Sequence, residues 1–288
     1  LEFYLYRTIG PHNGFWQAAA GIPSLADYLK AYPQAMRDAR DTYIHLATHP
    51  PGAIIYLWVW RQVFTMFGGL AHHLSHHFRA YACADLGFVT RSDAAIAATV
   101  GQMIVPLWSG LAVLPVYVLG RRFGGHRGGW RAATLYALLP TLSLFTVRWD
   151  TLYPLFTATA FLLLHLGVVT RRARWWYASG LVVSVASFFS FGNALLAPTV
   201  ALFAVLSLYL PRRRVRDVLA RWRSWVALLV GGYTVWAVFR LFTGVSVWEL
   251  LAITSDIQHS LRAAYSYGKW LFYNLADFGA MSGFPITV

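Results

Sequence analysis

From residue 96 onward the chain is a succession of long apolar runs separated by short polar or basic turns. Windows of about 20 residues, long enough to cross a bilayer, recur at 96–119, 130–147, 151–169, 176–191, 194–210, 225–243 and 268–288. A further apolar segment, 51–70, carries Arg61 and ends in Phe67-Gly68-Gly69. It either spans the membrane or lies at its surface. Upstream, Asp27 and Tyr28 begin a helical stretch over Ala26–Ala39. The pattern predicts an all-α, polytopic helical membrane protein. Residues 1–95 form an outer-face loop with amphipathic juxtamembrane helices, and 96–288 form a transmembrane domain of about seven spans. No fixed-period repeat and no low-complexity linker divides it further.

Composition agrees with that reading. The chain is 58% hydrophobic and 12% charged, and a soluble domain carries about twice that charge. Trp130, Trp149, Tyr153, Trp175, Trp176, Tyr177 and Trp270 fall at span ends, where interfacial aromatic belts form. The single cysteine, Cys83, excludes an internal disulfide and leaves the redox compartment open. The chain begins at Leu1 without methionine and stops inside the apolar run Phe284–Val288. Both ends read as cut, with a span expected upstream.

Charge placement orients the spans. The loops 120–131, 170–175 and 211–224 carry 13 of the 24 Lys and Arg but only Asp217 of the 11 acids. They include Arg121, Arg122, Arg127, Arg131, Arg171, Arg172, Arg174 and Arg212-Arg213-Arg214. The positive-inside rule makes all three cytoplasmic. Residues 1–50, 71–95, 148–150, 192–193 and 244–267 then face outward. The net charge of +13 is thus a topology signal. No aromatic-basic interleaving of the RNA-binding kind accompanies it, so nucleic acid is not an expected partner.

Polar residues at membrane level are expensive and mark candidate chemistry. Thr48-His49-Pro50-Pro51-Gly52 opens the apolar run Ala53–Trp60. Two prolines remove two donors and force a turn before the helix. An imidazole is thereby set at a helix N-terminus, where a phosphate is also favoured. Asp27, Asp38 and Asp41 lie upstream, and His45 stands four residues before His49. A carboxylate near a phosphate-binding cation suits glycosyl or phosphoryl transfer: the first takes a proton from an acceptor hydroxyl, the second stabilises the leaving phosphate. A solvated helix with surface acids is the bland alternative. Arg148-Trp149-Asp150-Thr151-Leu152-Tyr153-Pro154 forms a tight outer turn, read either as a substrate site or as a local ion pair.

His72, His73, His76 and His77 have helical metal-ligand spacing, but no carboxylate completes a set. A solvated His-rich loop is the preferred reading, and no metal or other cofactor is expected. Ser187, Ser190 and Asn193 gather at an outer tip, and Arg240, near a span end, either reaches a lipid phosphate or snorkels. The Gly120–Gly129 loop lacks Gly-Lys-Ser/Thr and reads as a flexible basic turn rather than a phosphate loop.

The run Asp27-Tyr28-Leu29, Tyr43-Ile44-His45, Thr48-His49-Pro50-Pro51-Gly52 resembles bacterial lipid-linked-sugar glycosyltransferases of the C-type fold, the relatives of protein mannosyltransferase and aminoarabinose transferase. The basic turn at 120–124 and the outer turn at Asp150 fit the same family, and the resemblance covers roughly residues 25–170. It implies that the segment after Pro51 is an interfacial helix. It implies a polyprenyl-phosphate sugar donor, membrane lipid as surroundings, and an acceptor glycan, lipid or protein that it does not specify. His49 would stand beside the donor phosphate, with Arg148 and Arg240 also facing phosphate. Asp150 and Tyr153 would orient donor or base. The family's catalytic acid lies early in the first outer loop. Asp27 and Asp41 are the candidates within the chain, and an acid upstream of Leu1 is the third. The expected site lies on the non-cytoplasmic face of a bacterial inner membrane.

A transporter or flippase for a lipid-linked or small polar solute is the rival reading. It requires inverted repeats and polar groups at mid-membrane, and here the polar groups cluster at one face instead. A purely structural subunit would show no convergence of these residues.

Overall fold

A computed structural model describes residues 2–10, 14–210, 214–262 and 266–282. Arg212 and Arg213 of the third basic loop and residues 283–288 of the last expected span lie outside these. Among the described residues all regular structure is helical, as the apolar pattern requires. The chain forms two compact units. One comprises Leu1–Pro106, Phe145–Thr151 and Phe242–Asn274; the other comprises Leu107–Leu144, Leu152–Leu241 and Leu275–Val288.

The first unit is built from short helices whose ends are explicitly satisfied. The Ser24, Asp85 and Ser92 side chains accept from the backbone N–H groups of Asp27, Phe88 and Ala95, filling the orphan donors of helix N-termini. The helix expected over Ala26–Ala39 is instead two, Leu25–Lys30 and Tyr32–Asp38. Pro33 lacks the N–H that would continue the first helix, and it opens the second. The apolar run after the Pro-Pro corner forms the Gly52–Met66 helix. The chain then bends by 116° into the Gly68–Tyr81 helix.

Arg61, the one charge inside that run, has a structural use. Its guanidinium donates to the carbonyls of Ala19 (2.8 Å), Ala20 (3.2 Å) and Ile22 (2.7 Å). It thereby caps the C-terminus of the Phe15–Gly21 helix. Tyr32, Met36, Ile54, Leu57, Phe88 and Ile96 fill the core, and the Trp16 indole N–H donates to the Ala95 carbonyl at 3.1 Å.

The second unit is a set of long helices packed through small residues. A Cβ at Gly180 would collide with the Leu228 carbonyl, and one at Gly231 with the Tyr177 carbonyl. The Ala173–Phe189 and Trp222–Thr243 helices therefore cross backbone to backbone, as small residues permit in membranes. Serines join the helices. Ser179 Oγ donates to Ala160 O at 2.8 Å, and Ser184 Oγ accepts from Val235 N at 3.1 Å. Ser187 Oγ accepts from Trp236 Nε1 at 2.9 Å, and Asn193 Nδ2 donates to Ala186 O at 3.0 Å. Ser187 and Asn193 thus serve packing and backbone satisfaction.

The Gly120–Gly129 segment is less of a loop than its glycines suggest. Val113–Ala137 is helical except at Gly124 and Gly125, the latter at φ 66°. A Cβ at Gly120 would lie 2.8 Å from the Gly128 carbonyl oxygen, so the two arms touch through bare backbone. Phe123, at the tip of the first arm, meets His165 (5.1 Å between ring centroids) and Phe203 (6.3 Å). The charged form of Arg221 is disfavoured first by burial and then by Arg171. These contacts gather the three basic turns at one end of the second unit.

Among the described residues, four helical stretches are long and apolar enough to cross a membrane: Asp93–Leu144, Trp149–Thr170, Phe191–Tyr209 and Trp222–Thr243. The bent pair from Gly52 to Tyr81 is a possible fifth. As one helix, the 52 residues of Asp93–Leu144 would extend about 78 Å, far more than a bilayer needs. The Gly124-Gly125 break falls between the two windows expected there. Ala173–Phe189, at 17 residues, sits at the lower limit for a crossing. Leu229 is 71% exposed and Leu241 84%. Such apolar side chains on apolar helices belong against lipid.

Candidate functional site

The Pro-Pro corner folds as its sequence dictates. The Ile44–Thr48 helix ends where His49 turns extended, at φ −114° and ψ 154°, the conformation a following proline imposes. The helix therefore does not continue through His49. The two imidazoles nevertheless meet, with ring centroids 5.5 Å apart. Phe15 stands edge-on to His49 at 5.7 Å, and Thr48 Oγ1 lies 3.3 Å from its Nδ1. The buried Tyr32 hydroxyl donates to the His49 carbonyl at 2.9 Å, anchoring the backbone. Burial, and secondarily the charge of His45, lowers the His49 pKa from 6.5 to about 4. His49 is therefore neutral at pH 7 in this structure.

The outer turn belongs to the same unit. Its backbone reverses at Val147, which has φ 67°. Arg148 N donates to Phe145 O at 2.9 Å, and the Arg148 carbonyl accepts from Thr151 N (3.2 Å) and Thr151 Oγ1 (2.7 Å). The buried Gln102 carboxamide donates to Val147 O at 3.0 Å. Trp149 stands edge-on to Tyr56 at 5.3 Å, and the Tyr56 hydroxyl donates to Gly101 O at 2.8 Å.

Charge gathers around this turn. The half-buried Arg148 has its charged form disfavoured first by burial and then by Arg7, with Asp150 opposing. Asp150 interacts electrostatically with both His45 and Arg148. Arg7, Arg148, Asp150 and His45 thus form one constellation, and His49 joins it through His45. Two guanidinium groups that repel each other beside one carboxylate and an imidazole make a field suited to an anion.

Asp27 and Asp41 do not take part in it. Asp27 and Asp41 are exposed. Among the described residues neither carboxylate has a hydrogen-bond or ion-pair partner, and neither enters the electrostatics of Arg148 or Asp150. Asp38 accepts from Gln34 Nε2 at 2.7 Å. Tyr153, half-buried at the start of its helix, and Arg240, exposed, belong to the second unit.

The histidine row divides. His72 Nδ1 lies 2.8 Å from Asp93 Oδ2, while Arg79 donates to the other Asp93 oxygen at 2.7 Å. His73 meets His77 ring to ring at 4.6 Å. Among the described residues no three His, Cys, Asp or Glu side chains converge as a metal-ligand set.

Neither Arg7 nor Gln102 belongs to a motif in the sequence. Gln102 had a signal, as a neutral polar residue inside an apolar window, which is a functional or structural marker by default.

The fold defines a polytopic helical membrane protein. Residues 96–236, close to half of the chain, match the dolichyl-phosphate-mannose-protein mannosyltransferase family, and with the apolar helices this match supports a membrane glycosyltransferase of the lipid-linked-sugar type. The matched segment contains Gln102, Arg148, Asp150 and Tyr153, and it excludes Arg7, His45 and His49. No curated protein and no solved structure matches the chain. The family match weighs against the transporter reading.

Proposed function

We propose that the protein transfers a sugar from a polyprenyl-phosphate donor to an acceptor hydroxyl at the non-cytoplasmic face of a bacterial inner membrane. The observation that carries this is the pairing of Arg7 and Arg148 beside Asp150 and His45. In the reaction the bond from the anomeric carbon to the phosphate oxygen breaks and a bond to the acceptor oxygen forms. The donor phosphodiester carries one negative charge, and the departing lipid phosphate gains a second. Two cations preorganised at mutual cost meet a charge that grows in the transition state, where their attraction contributes most.

Asp150 receives the acceptor proton, and His45 orients it. His49, neutral at pH 7, lies against His45 and takes up charge only once an anion is bound. Asp27 and Asp41 are the alternative bases, and Tyr153 and Arg240 are the alternative donor contacts. The outer-face assignment is supported by the clustering of the basic turns at one end of the second unit together with the positive-inside rule.

The test is radiolabelled sugar transfer in proteoliposomes with polyprenyl-phosphate donors and mixed acceptors. Asp150→Asn should lower kcat by about a hundredfold or more, with Asp27→Asn and Asp41→Asn close to wild type. Loss with Asp27→Asn or Asp41→Asn and retention with Asp150→Asn would reassign the base.

A further inference from the structure

We propose that Gln102 is a positioning residue for this transfer, holding Val147 in a left-handed backbone conformation that aims Arg148 and Asp150. The inference rests on the functional reading above.

Val147 is β-branched, and its φ of 67° is a conformation such residues rarely adopt. Backbone of this kind persists only where its surroundings over-determine it, and it concentrates at functional sites. Here the surroundings are specific. Val147 is completely buried, and Gln102 is 1% exposed. A carboxamide in an apolar helix is costly unless it is hydrogen-bonded. The bond Gln102 makes is to the carbonyl of the strained residue, 3.0 Å away and 45 positions on in sequence.

The next carbonyl is fixed as well. Arg148 O accepts from both donors of Thr151. The Val147 carbonyl and the Arg148 N–H, which donates to Phe145 O, are the two polar groups of one peptide plane, and the Arg148 carbonyl belongs to the next, so the planes on both sides of Arg148 are held. The direction in which the Arg148 side chain leaves the backbone is thereby set. Asp150 follows within the Trp149–Leu152 turn. Tyr56 braces the same turn by its ring against Trp149 and its hydroxyl on Gly101 O, one residue before Gln102. Gly101 has no room for a side chain, because a Cβ there would collide with the Trp60 indole. The Thr99–Met103 helix is therefore seated closely enough for Gln102 to act as a fixed post rather than a flexible tether.

The experiment uses the full chain in proteoliposomes and measures kcat and donor KM. Gln102→Met keeps length and approximate volume but has no N–H to donate. A positioning role predicts that kcat/KM for the donor falls about tenfold to a hundredfold, with a raised donor KM in the folded fraction. Val147→Gly adopts positive φ without strain, so placing it in the Gln102→Met background should restore most of the loss.

Full kcat/KM in Gln102→Met overturns the proposal. So does a loss confined to the amount of folded protein, with KM unchanged and no restoration by glycine. If Gln102→Met does not accumulate, Gln102→Asn is the second variant. It keeps the amide but withdraws it by one methylene, and wild-type kinetics there also overturn the proposal. Arg148→Gln separates the two levels. Unchanged kinetics in Arg148→Gln refute the functional reading. A loss there beside an unaffected Gln102→Met refutes only the clamp.

Discussion

Acidification should destabilise this protein through His49, and the size of the effect follows from its surroundings. The imidazole has Phe15 on one side, His45 on another and Thr48 at its Nδ1. Burial and the neighbouring histidine lower its pKa from 6.5 to about 4. Between those values the unfolded chain binds a proton that the folded chain does not, so stability rises with pH. The stabilisation is complete above pH 6.5 and is lost as pH falls toward 4. Linkage gives about 2 kcal/mol lost at pH 5 relative to pH 7.5, and about 3 kcal/mol at pH 4. The assay is the thermal midpoint of detergent-solubilised protein from pH 7.5 to 4, for wild type and His49→Asn. The slopes decide the matter, because the substitution itself changes the baseline. A wild-type midpoint that falls more steeply than that of the variant is expected. Parallel profiles would mean that His49 titrates as it does in an unfolded chain, and the reasoning about its burial would be refuted.

Other expectations follow from packing and topology. Arg61→Lys should destabilise by about 2 kcal/mol and Arg61→Met by somewhat more, because an ammonium cannot serve three carbonyls in the fork that the guanidinium fits; unfolding of the purified variants measures this. Gly231→Val should largely abolish folded protein in detergent gel filtration, since its Cβ meets the Tyr177 backbone and overpacking against backbone costs about 3 kcal/mol or more. Cys83 is the only cysteine and is exposed. A membrane-impermeant maleimide should label it from the non-cytoplasmic side of oriented vesicles; labelling only after permeabilisation would reverse the topology.

Much of the fold was legible because apolar run length and basic turns are set by the membrane itself. Trp222–Thr243 lies within three residues of the expected 225–243. The break between 96–119 and 130–147 was also legible, but its form was not. Glycines that suggested a flexible loop instead let two helical arms touch, and composition alone does not distinguish a mobile glycine from one buried in a backbone contact. The residues of Ala26–Ala39 suit one helix, but Pro33 ends the first and opens a second. At the site, His49, Arg148 and Asp150 were visible as polar groups at membrane level. Arg7 was not, because its proximity to Arg148 depends on contact across 141 positions of sequence. Asp27 and Asp41 stand out in the sequence because the resemblance puts the family's catalytic acid early in the first outer loop. Sequence distance says nothing about which carboxylate the fold brings beside His45 and Arg148, and in the fold that one is Asp150.

The central claim is that Arg7 and Arg148 together hold the phosphate of a lipid-linked sugar donor. Its most direct test is donor-dependent sugar transfer in proteoliposomes by Arg7→Gln, Arg148→Gln and the double variant. The account predicts that each single change lowers kcat/KM by about tenfold to a hundredfold. It also predicts that the double variant loses clearly less than the product of the two, because the groups act on one phosphate and relieve each other's repulsion. Wild-type rates in both single variants, or fully multiplicative losses unaffected by the identity of the lipid phosphate, would contradict it.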